Sequence, residues 1–503
     1  MHFYLFKPSI GLWVAWVILA GIPIGVVASP EESTSPISLQ CGRHLFIDDF
    51  LVSECTHLKP VLHHPVKLPG PMIGGAKTED QCGQPYTTVL RDPETRRFRI
   101  WYNTLTQEGS RDYRHIATME SEDGIHWIRP HKKLLDISSG YDCSILDEGT
   151  DSPDPSRRFK LAFWENLEPV RYNFSRKIGL CTAFSSDGLN WLKYEGNPVL
   201  ADQWQYSPEN DPRGIGDPRF KQSTGDIVDC VRDTLRERYL VCIKSWTQPP
   251  TEFGPVSRSY EWGRRLVSQT TSQDFIHWSP IERIFVPDEK DEGDIEFYGC
   301  KPVVRGNQLV GFVRILRDDV ANGIGYTVLA TCNDGHTWNR MREPFLPRNE
   351  ADPSAWDHAV CWVGDCLTVE EKEYLYFGAY SGGHKQFDDR TLGVAVLRRD
   401  GFVSRQAGSE GGSLTTRPLV LPAGKLTVNA DVQGEMQVRI LDEKGITLEG
   451  LDWPDCVSIR GDSVNHEVSW SSGKSVPVGI PVRLEFRFDH AELFAFNIGV
   501  DEE

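Results

Sequence analysis

Four copies of one short turn motif punctuate the middle of this 503-residue chain and constrain its fold more than any other feature. They read Ser121-Glu122-Asp123-Gly124-Ile125-His126-Trp127, Ser185-Ser186-Asp187-Gly188-Leu189-Asn190-Trp191, Ser272-Gln273-Asp274-Phe275-Ile276-His277-Trp278 and Cys332-Asn333-Asp334-Gly335-His336-Thr337-Trp338. Asp-Gly favours a tight turn between antiparallel strands, because Gly accepts positive φ and Asp can bond the backbone ahead of it. The four Trp lie 64, 87 and 60 residues apart, and repetition at such intervals predicts a radially repeated sheet, with each Trp wedged between neighbours. The motif is read as scaffold, not as chemistry.

Fifteen Trp and 44 Gly against five Met suit a turn-rich β protein. The net charge of −18 argues against nucleic acid, whose phosphates call for a basic surface. Residues 1–28 read as an export signal. Lys7 supplies the positive end, Ile10 to Val27 are almost wholly apolar, and Val26-Val27-Ala28 offers small residues for cleavage before Ser29. An uncleaved membrane anchor is the alternative, and either reading places the body in the periplasm or outside the cell. Twelve cysteines in an exported chain suggest some disulfides, although several sit in strand-like runs that suit buried thiols. Asn173-Phe174-Ser175 is a glycosylation sequon.

A second element recurs beside the turns: an Asp-containing or charged turn, then an alternating strand, as in Arg97 to Tyr102, Arg158 to Phe163 and Arg238 to Ile243. Counting strands gives five units, beginning near Tyr86, Tyr141, Asp226, Phe297 and His358. The expected fold is all-β: a five-bladed β-propeller over 76–400, preceded by an N-terminal segment over 29–75 that carries a closing strand. A C-terminal β-sandwich over 401–503 follows.

The inner strands of a propeller converge, and the unit starts are rich in acids: Glu79 and Asp80, Asp142, Asp226 and Asp229, Asp294 and Glu296, then Asp357. Two or three carboxylates gathered on an axis suffice for glycoside cleavage, one protonating the leaving oxygen and another attacking carbon or activating water. Acids at strand starts also cap turns, so their recurrence carries the assignment. Glu296, Asp226 and Asp357 are the expected catalytic residues. Asp80, Asp142, Arg264, Tyr298 and His384 are the expected substrate-binding residues, with Tyr298 lining a sugar pocket and Arg264 meeting a substrate carboxylate or sulfate. No cofactor is implied. The acidic run Asp288, Asp291, Glu292 and Asp294 admits a structural calcium ion, but it lacks EF-hand spacing and a solvated loop is the competing reading. Serine-esterase, zincin, phosphate-loop and dinucleotide fingerprints are missing from the sequence.

The turn motifs, Leu45-Phe46-Ile47-Asp48-Asp49-Phe50-Leu51, Asp400-Gly401-Phe402-Val403-Ser404 and Gly411-Gly412-Ser413-Leu414 together resemble exported, planctomycete-type bacterial proteins related to glycoside hydrolase family 32. That resemblance implies a five-bladed propeller, a C-terminal sandwich and a carbohydrate substrate. The chain departs from the family in having no Trp-x-Asn-Asp-Pro-x-Gly nucleophile motif, and its Arg91-Asp92-Pro93 and Glu54-Cys55 fall in the wrong contexts. The expectation is therefore an exported glycoside hydrolase acting on a poly- or oligosaccharide through axial carboxylates. The alternative is a non-catalytic glycan-binding or cell-surface propeller, and a sialidase-like enzyme stands third.

Overall fold

The turn motif does what its chemistry dictates. In the computed structural model, the Asp187 carboxylate accepts from the backbone amides of Leu189 and Asn190 (both 2.8 Å) and from Ser185 Oγ (2.9 Å), while Ser185 Oγ accepts from Gly188 N (2.9 Å). Asp123, Asp274 and Asp334 repeat the pattern, with Cys332 taking the serine's place in the last copy. Gly188 has φ 70°, and a Cβ there would lie 3.0 Å from the Trp101 ring. In the third copy Phe275 occupies the same left-handed position (φ 66°) and inserts its ring against Tyr239 and Phe184.

Three of the four turns are also gripped by a hydrogen bond from a neighbouring sheet. Tyr376 Oη donates to Gly124 O (3.1 Å), Trp101 Nε1 to Gly188 O (2.9 Å) and Arg238 Nη2 to Gly335 O (2.9 Å). The motif thus joins a local turn to an inter-sheet lock.

The structure describes residues 35–75, 82–105, 113–138, 140–167, 178–201, 224–246, 264–386 and 390–499. The export segment at 1–28, Glu79, Asp80 and the Asn173 sequon lie outside the described residues. The described chain is almost entirely strand. A first four-stranded antiparallel sheet comprises Cys82–Arg91, Phe98–Leu105, Tyr113–Ser121 and Lys132–Ser138. A second contains Ser144–Asp147, Phe159–Asn166 and Ile178–Ser185 with two short edge pieces, and a third contains Val228–Asp233, Arg238–Trp246, Arg265–Ser272 and Glu282–Phe285. Apolar clusters lie between the sheets. Trp101 and Ile116 meet Leu161 and Phe163, Ala162 and Leu180 meet Val241 and Ile243, and Leu240 and Val267 meet Phe297 and Val313.

The expected five-bladed propeller is not what these strands build. The fourth and fifth expected units share one eight-stranded sheet. It runs from Glu296–Arg305, Gln308–Arg317 and Ile324–Cys332 to Val360–Val369, Lys372–Tyr380, Thr391–Arg398 and Val66–Lys67, with Asn339–Arg340 at the side. The two halves join through a parallel pairing at Gly325 and Val360. Gly325 permits the junction: a Cβ there would fall 2.6 Å from Trp362 Nε1, which donates across to Ile315 O (2.9 Å). No sheet among the described residues closes on itself or curls into a propeller or barrel. The physical reason is that the motif's hydrogen bonds are local; they specify a turn and one contact beside it, and leave sheet closure open.

The expected C-terminal sandwich is likewise replaced. The strands after Asp400 gather in one ten-stranded sheet with amino-terminal strands: Gly42–Leu45 pairs with the long Pro481–Gly499, and Val52–Thr56 with Gly412–Thr416. Eleven cysteines, all but Cys82, are free thiols, and no helix among the described residues is long and apolar enough to cross a membrane.

One buried ion pair ties several of these sheets together. Arg314 donates to both carboxylate oxygens of Asp229 (2.7 and 2.8 Å) and through Nε to Val363 O (2.8 Å), with its guanidinium 4.9 Å from the centre of the Tyr86 ring. The Arg314 side chain is 0% exposed and that of Asp229 5% exposed. Substituting Arg314→Met should strand a buried carboxylate and cost about 3–5 kcal/mol in chemical unfolding, with Asp229→Asn/Arg314→Met recovering part of the loss.

The turn acids yield a second expectation. Against burial, which would raise them, hydrogen bonds from the backbone amides and side chains just ahead (His126, Asn190, His277 and Thr337) hold Asp123, Asp187, Asp274 and Asp334 below the usual carboxylate range. Stability from a depressed carboxylate is fully present above its unfolded value, about 3.9, and is lost as pH falls through the folded value. Asp187→Ala should destabilise by about 1–3 kcal/mol at pH 7. In urea unfolding the gap from wild type should shrink as pH drops below about 4; a constant gap would show that the carboxylate's charge is not what holds the turn.

Candidate functional site

Strand alternation places Glu296 and Tyr298 on one face at the start of Glu296–Arg305, while Phe297 and Cys300 point into the apolar layer. The ladder slips between Phe297 and Gly299, so Tyr298 sits at a bulge. Bulges re-aim side chains, and this one turns Tyr298 into a densely polar cluster. The ring stacks on Trp362 (centroids 4.6 Å apart, planes at 20°). Lys244 Nζ lies 4.7 Å and the Arg265 guanidinium 5.4 Å from its centre.

Each acid in the cluster is held by a cation or by backbone donors. Glu296 accepts from Arg265 N (3.0 Å) and Arg265 Nη1 (2.6 Å); Asp318 lies 3.7 Å from the same guanidinium nitrogen. Burial raises the Glu296 carboxyl above its ordinary value, against the pull of Arg265. Asp226 pairs with Lys244; burial alone would raise it, but the ammonium holds it below the usual range. Asp142 accepts from Trp164 N (3.0 Å), is fully buried and is pushed far upward by desolvation, with Asp226 and Asp229 adding to the rise. His384 bridges the group: Nε2 lies 2.9 Å from Tyr298 Oη and Nδ1 3.3 Å from Asp318 Oδ1. Burial lowers its pKa to about 4, despite the hydrogen bond to Asp318. Arg390 Nη2 donates to His384 O (2.9 Å) and Lys385 Nζ to Asp318 O (2.8 Å). The cluster is not sealed, since the Asp226 and Asp294 side chains keep 24% and 22% of their exposure.

The structure therefore gathers Asp226, Glu296, Tyr298 and His384, with Asp142 electrostatically linked through Asp226. Arg264 pairs with Asp294 at 3.5 Å on the flank. Asp357 has other partners: it accepts from Lys67 Nζ (2.7 Å), which also donates to Pro347 O and contacts Cys361 Sγ. Asp80 lies outside the described residues. The expected arrangement of axial carboxylates is not seen, because Asp226, Glu296 and Asp357 are bound in three separate ion pairs. The acidic run has a similar fate. Asp288 and Asp291 are held by Arg340 and Arg342, and no group of three or more His, Cys, Asp or Glu among the described residues is placed to hold a metal.

Sequence reasoning passed over Lys244, Arg265 and Asp318, which make most of the cluster's contacts. Arg265 adjoins Arg264, and Asp318 follows directly on the strand Gln308–Arg317, so both stood beside residues already noticed. Lys244 lies inside a mainly apolar strand, where it is the one buried charged side chain.

No family model matches the chain, and no curated protein matches it. Solved structures resemble it distantly. A glycosyl hydrolase from Bacteroides ovatus has a TM-score of 0.44 at 14% identity, covering 67% of this chain and 94% of that one. A β-1,2-mannobiose phosphorylase from Listeria innocua has a TM-score of 0.43 at 11% identity, covering 67% and 97%. An N-acetylgalactosamine deacetylase from F. plautii in complex with blood group B trisaccharide has a TM-score of 0.41 at 15% identity, covering 68% and 95%. Likeness this faint carries no argument about activity. Together with the unclosed sheets, the missing family match overturns the expected membership among family 32-related five-bladed propellers.

Proposed function

We propose that the Tyr298 cluster binds a carbohydrate and that the protein is a carbohydrate-active enzyme working on an O-glycosyl bond. The supporting observation is the density of fixed, oriented donors and acceptors beside aromatic rings. Asp226–Lys244 and Glu296–Arg265 flank Tyr298, and Trp246 stands 5.5 Å from Lys244 and 5.0 Å from Arg265. Sugar hydroxyls need donors and acceptors at short spacing, and pre-paired ionic groups offer both without reorganising. In this reading Glu296 and Asp226 orient the sugar through their ion pairs; they are not a free acid and a free nucleophile.

The test is calorimetric titration with a panel of neutral and acidic oligosaccharides, alongside a panel of nitrophenyl glycosides for turnover. Wild type should bind at least one sugar, and Lys244→Met and Arg265→Met should each weaken binding about 10- to 100-fold, the worth of a hydrogen bond to a charged group. Wild-type protein that binds and turns over none of these compounds would overturn the proposal.

A further inference from the structure

Three ionisable groups in the cluster stand in a row: Tyr298 Oη, 2.9 Å from His384 Nε2, and His384 Nδ1, 3.3 Å from Asp318 Oδ1. Resting on the carbohydrate reading above, we infer that this row is a proton relay: Tyr298 touches the substrate, and His384 and Asp318 position and recharge it.

The direction of the relay follows from which atoms carry protons. An ionised carboxylate can only accept. Asp318 lies 3.7 Å from the Arg265 guanidinium and 4.0 Å from Lys385 Nζ, which favour its charged form. His384 Nδ1 must then donate to it. The ring is neutral above about pH 4, so Nε2 carries a lone pair. Tyr298 therefore donates its own proton to Nε2, and the remaining lone pairs of Oη are available to accept. The same logic, a nucleophile or base oriented by a histidine that is itself oriented by a carboxylate, recurs on unrelated folds.

A water or sugar hydroxyl donating to Tyr298 Oη would lose its proton in one concerted shift. That proton passes to the phenol oxygen while the phenol's proton passes to Nε2. The hydroxyl's electron pair bonds the anomeric carbon as that carbon's bond to the leaving oxygen breaks, and the new imidazolium is stabilised by Asp318. One proton enters the row and none leaves; nothing is oxidised or reduced. Return of the proton to the leaving oxygen resets it. Burial and the Asp226 charge push the Tyr298 phenol up, against the pull of Arg265 and Arg390, so the phenol stays neutral and passes one proton on as it takes another. Charged and titratable groups bearing on the row are Asp226, Lys244 and Tyr141 beside Tyr298, Arg265 between Glu296 and Asp318, Lys385 beside Asp318, and Arg390 beside His384. Of these the acids Asp226 and Glu296 are already paired to cations, so His384 is the group whose protonation reverses the hydrogen bond to Tyr298.

Nitrogen-15 spectroscopy of the full-length protein tests the relay without a substrate, with the His384 signals assigned by their loss in His384→Gln. At pH 7 Nδ1 should carry the proton and Nε2 should not, and Tyr298→Phe should shift Nε2. A proton on Nε2 at pH 7, or an Nε2 signal indifferent to Tyr298→Phe, would sink the relay. The kinetic arm uses whichever nitrophenyl glycoside wild type cleaves. Tyr298→Phe and His384→Gln should lower kcat by about 10²- to 10⁴-fold with little change in KM, and His384→Gln should abolish the acid limb near pH 4. An unchanged acid limb would overturn the assignment of His384. Wild type inert towards every sugar would defeat the carbohydrate reading alone, because the nitrogen signals still decide the relay.

Discussion

The bidentate pair between Arg314 and Asp229 is the contact on which the interior of this molecule turns. It joins the third sheet to the eight-stranded one, reaches the carbonyl of Val363 in that sheet's second half, and lays a cation over Tyr86 of the first. Burying two charges is costly unless geometry and extra hydrogen bonds offset the desolvation. Here both carboxylate oxygens are engaged and Nε finds a backbone acceptor. Around the pair, Ile227, Leu316, Val360 and Trp362 exclude water, which strengthens the attraction and removes competing partners. A purely apolar interior would not impose this geometry, since an arginine fork satisfies its partners in few orientations.

The candidate site extends the same principle toward solvent. Beyond Asp229, each acid at a strand start carries its own cation: Glu296, as buried as Asp229, with Arg265, and the part-exposed Asp226 and Asp294 with Lys244 and Arg264. Pairing with cations lets these acids crowd together, although Asp226 and Asp229 still add to the upward push on Asp142. The bulge at Tyr298 then sets one phenol among the paired charges, against the Trp362 face and within reach of His384.

The strand starts near Tyr86, Asp226, Phe297 and His358 were legible because alternation has a period of two wherever one face is buried. The turn motifs were legible because Ser, Asp and Gly make those hydrogen bonds within a few residues of themselves. Glu296, Asp226, Tyr298 and His384 stood out for their residue types and their places at strand ends, and the fold does bring them together. Asp357 is held by partners other than these, for a specific reason. Its side chain meets Lys67, nearly three hundred residues earlier, and nothing near position 357 points to that partner. Lys244 and Asp318 were missed for the same reason in reverse, as their importance lies in what they face.

What the sequence determined by itself is whatever depends on neighbours in the chain: an all-β composition of short strands, the four capped turns, and which face of each strand is apolar. Tertiary structure alone decided how the sheets associate. A parallel pairing at Gly325 fused two expected units into one sheet, the long strand Pro481–Gly499 took up Gly42–Leu45, and cations from distant strands claimed the acids. Local hydrogen bonds act over a few residues and are written in adjacent letters. Ion pairs and sheet contacts depend on distances in space, and only the folded chain sets those.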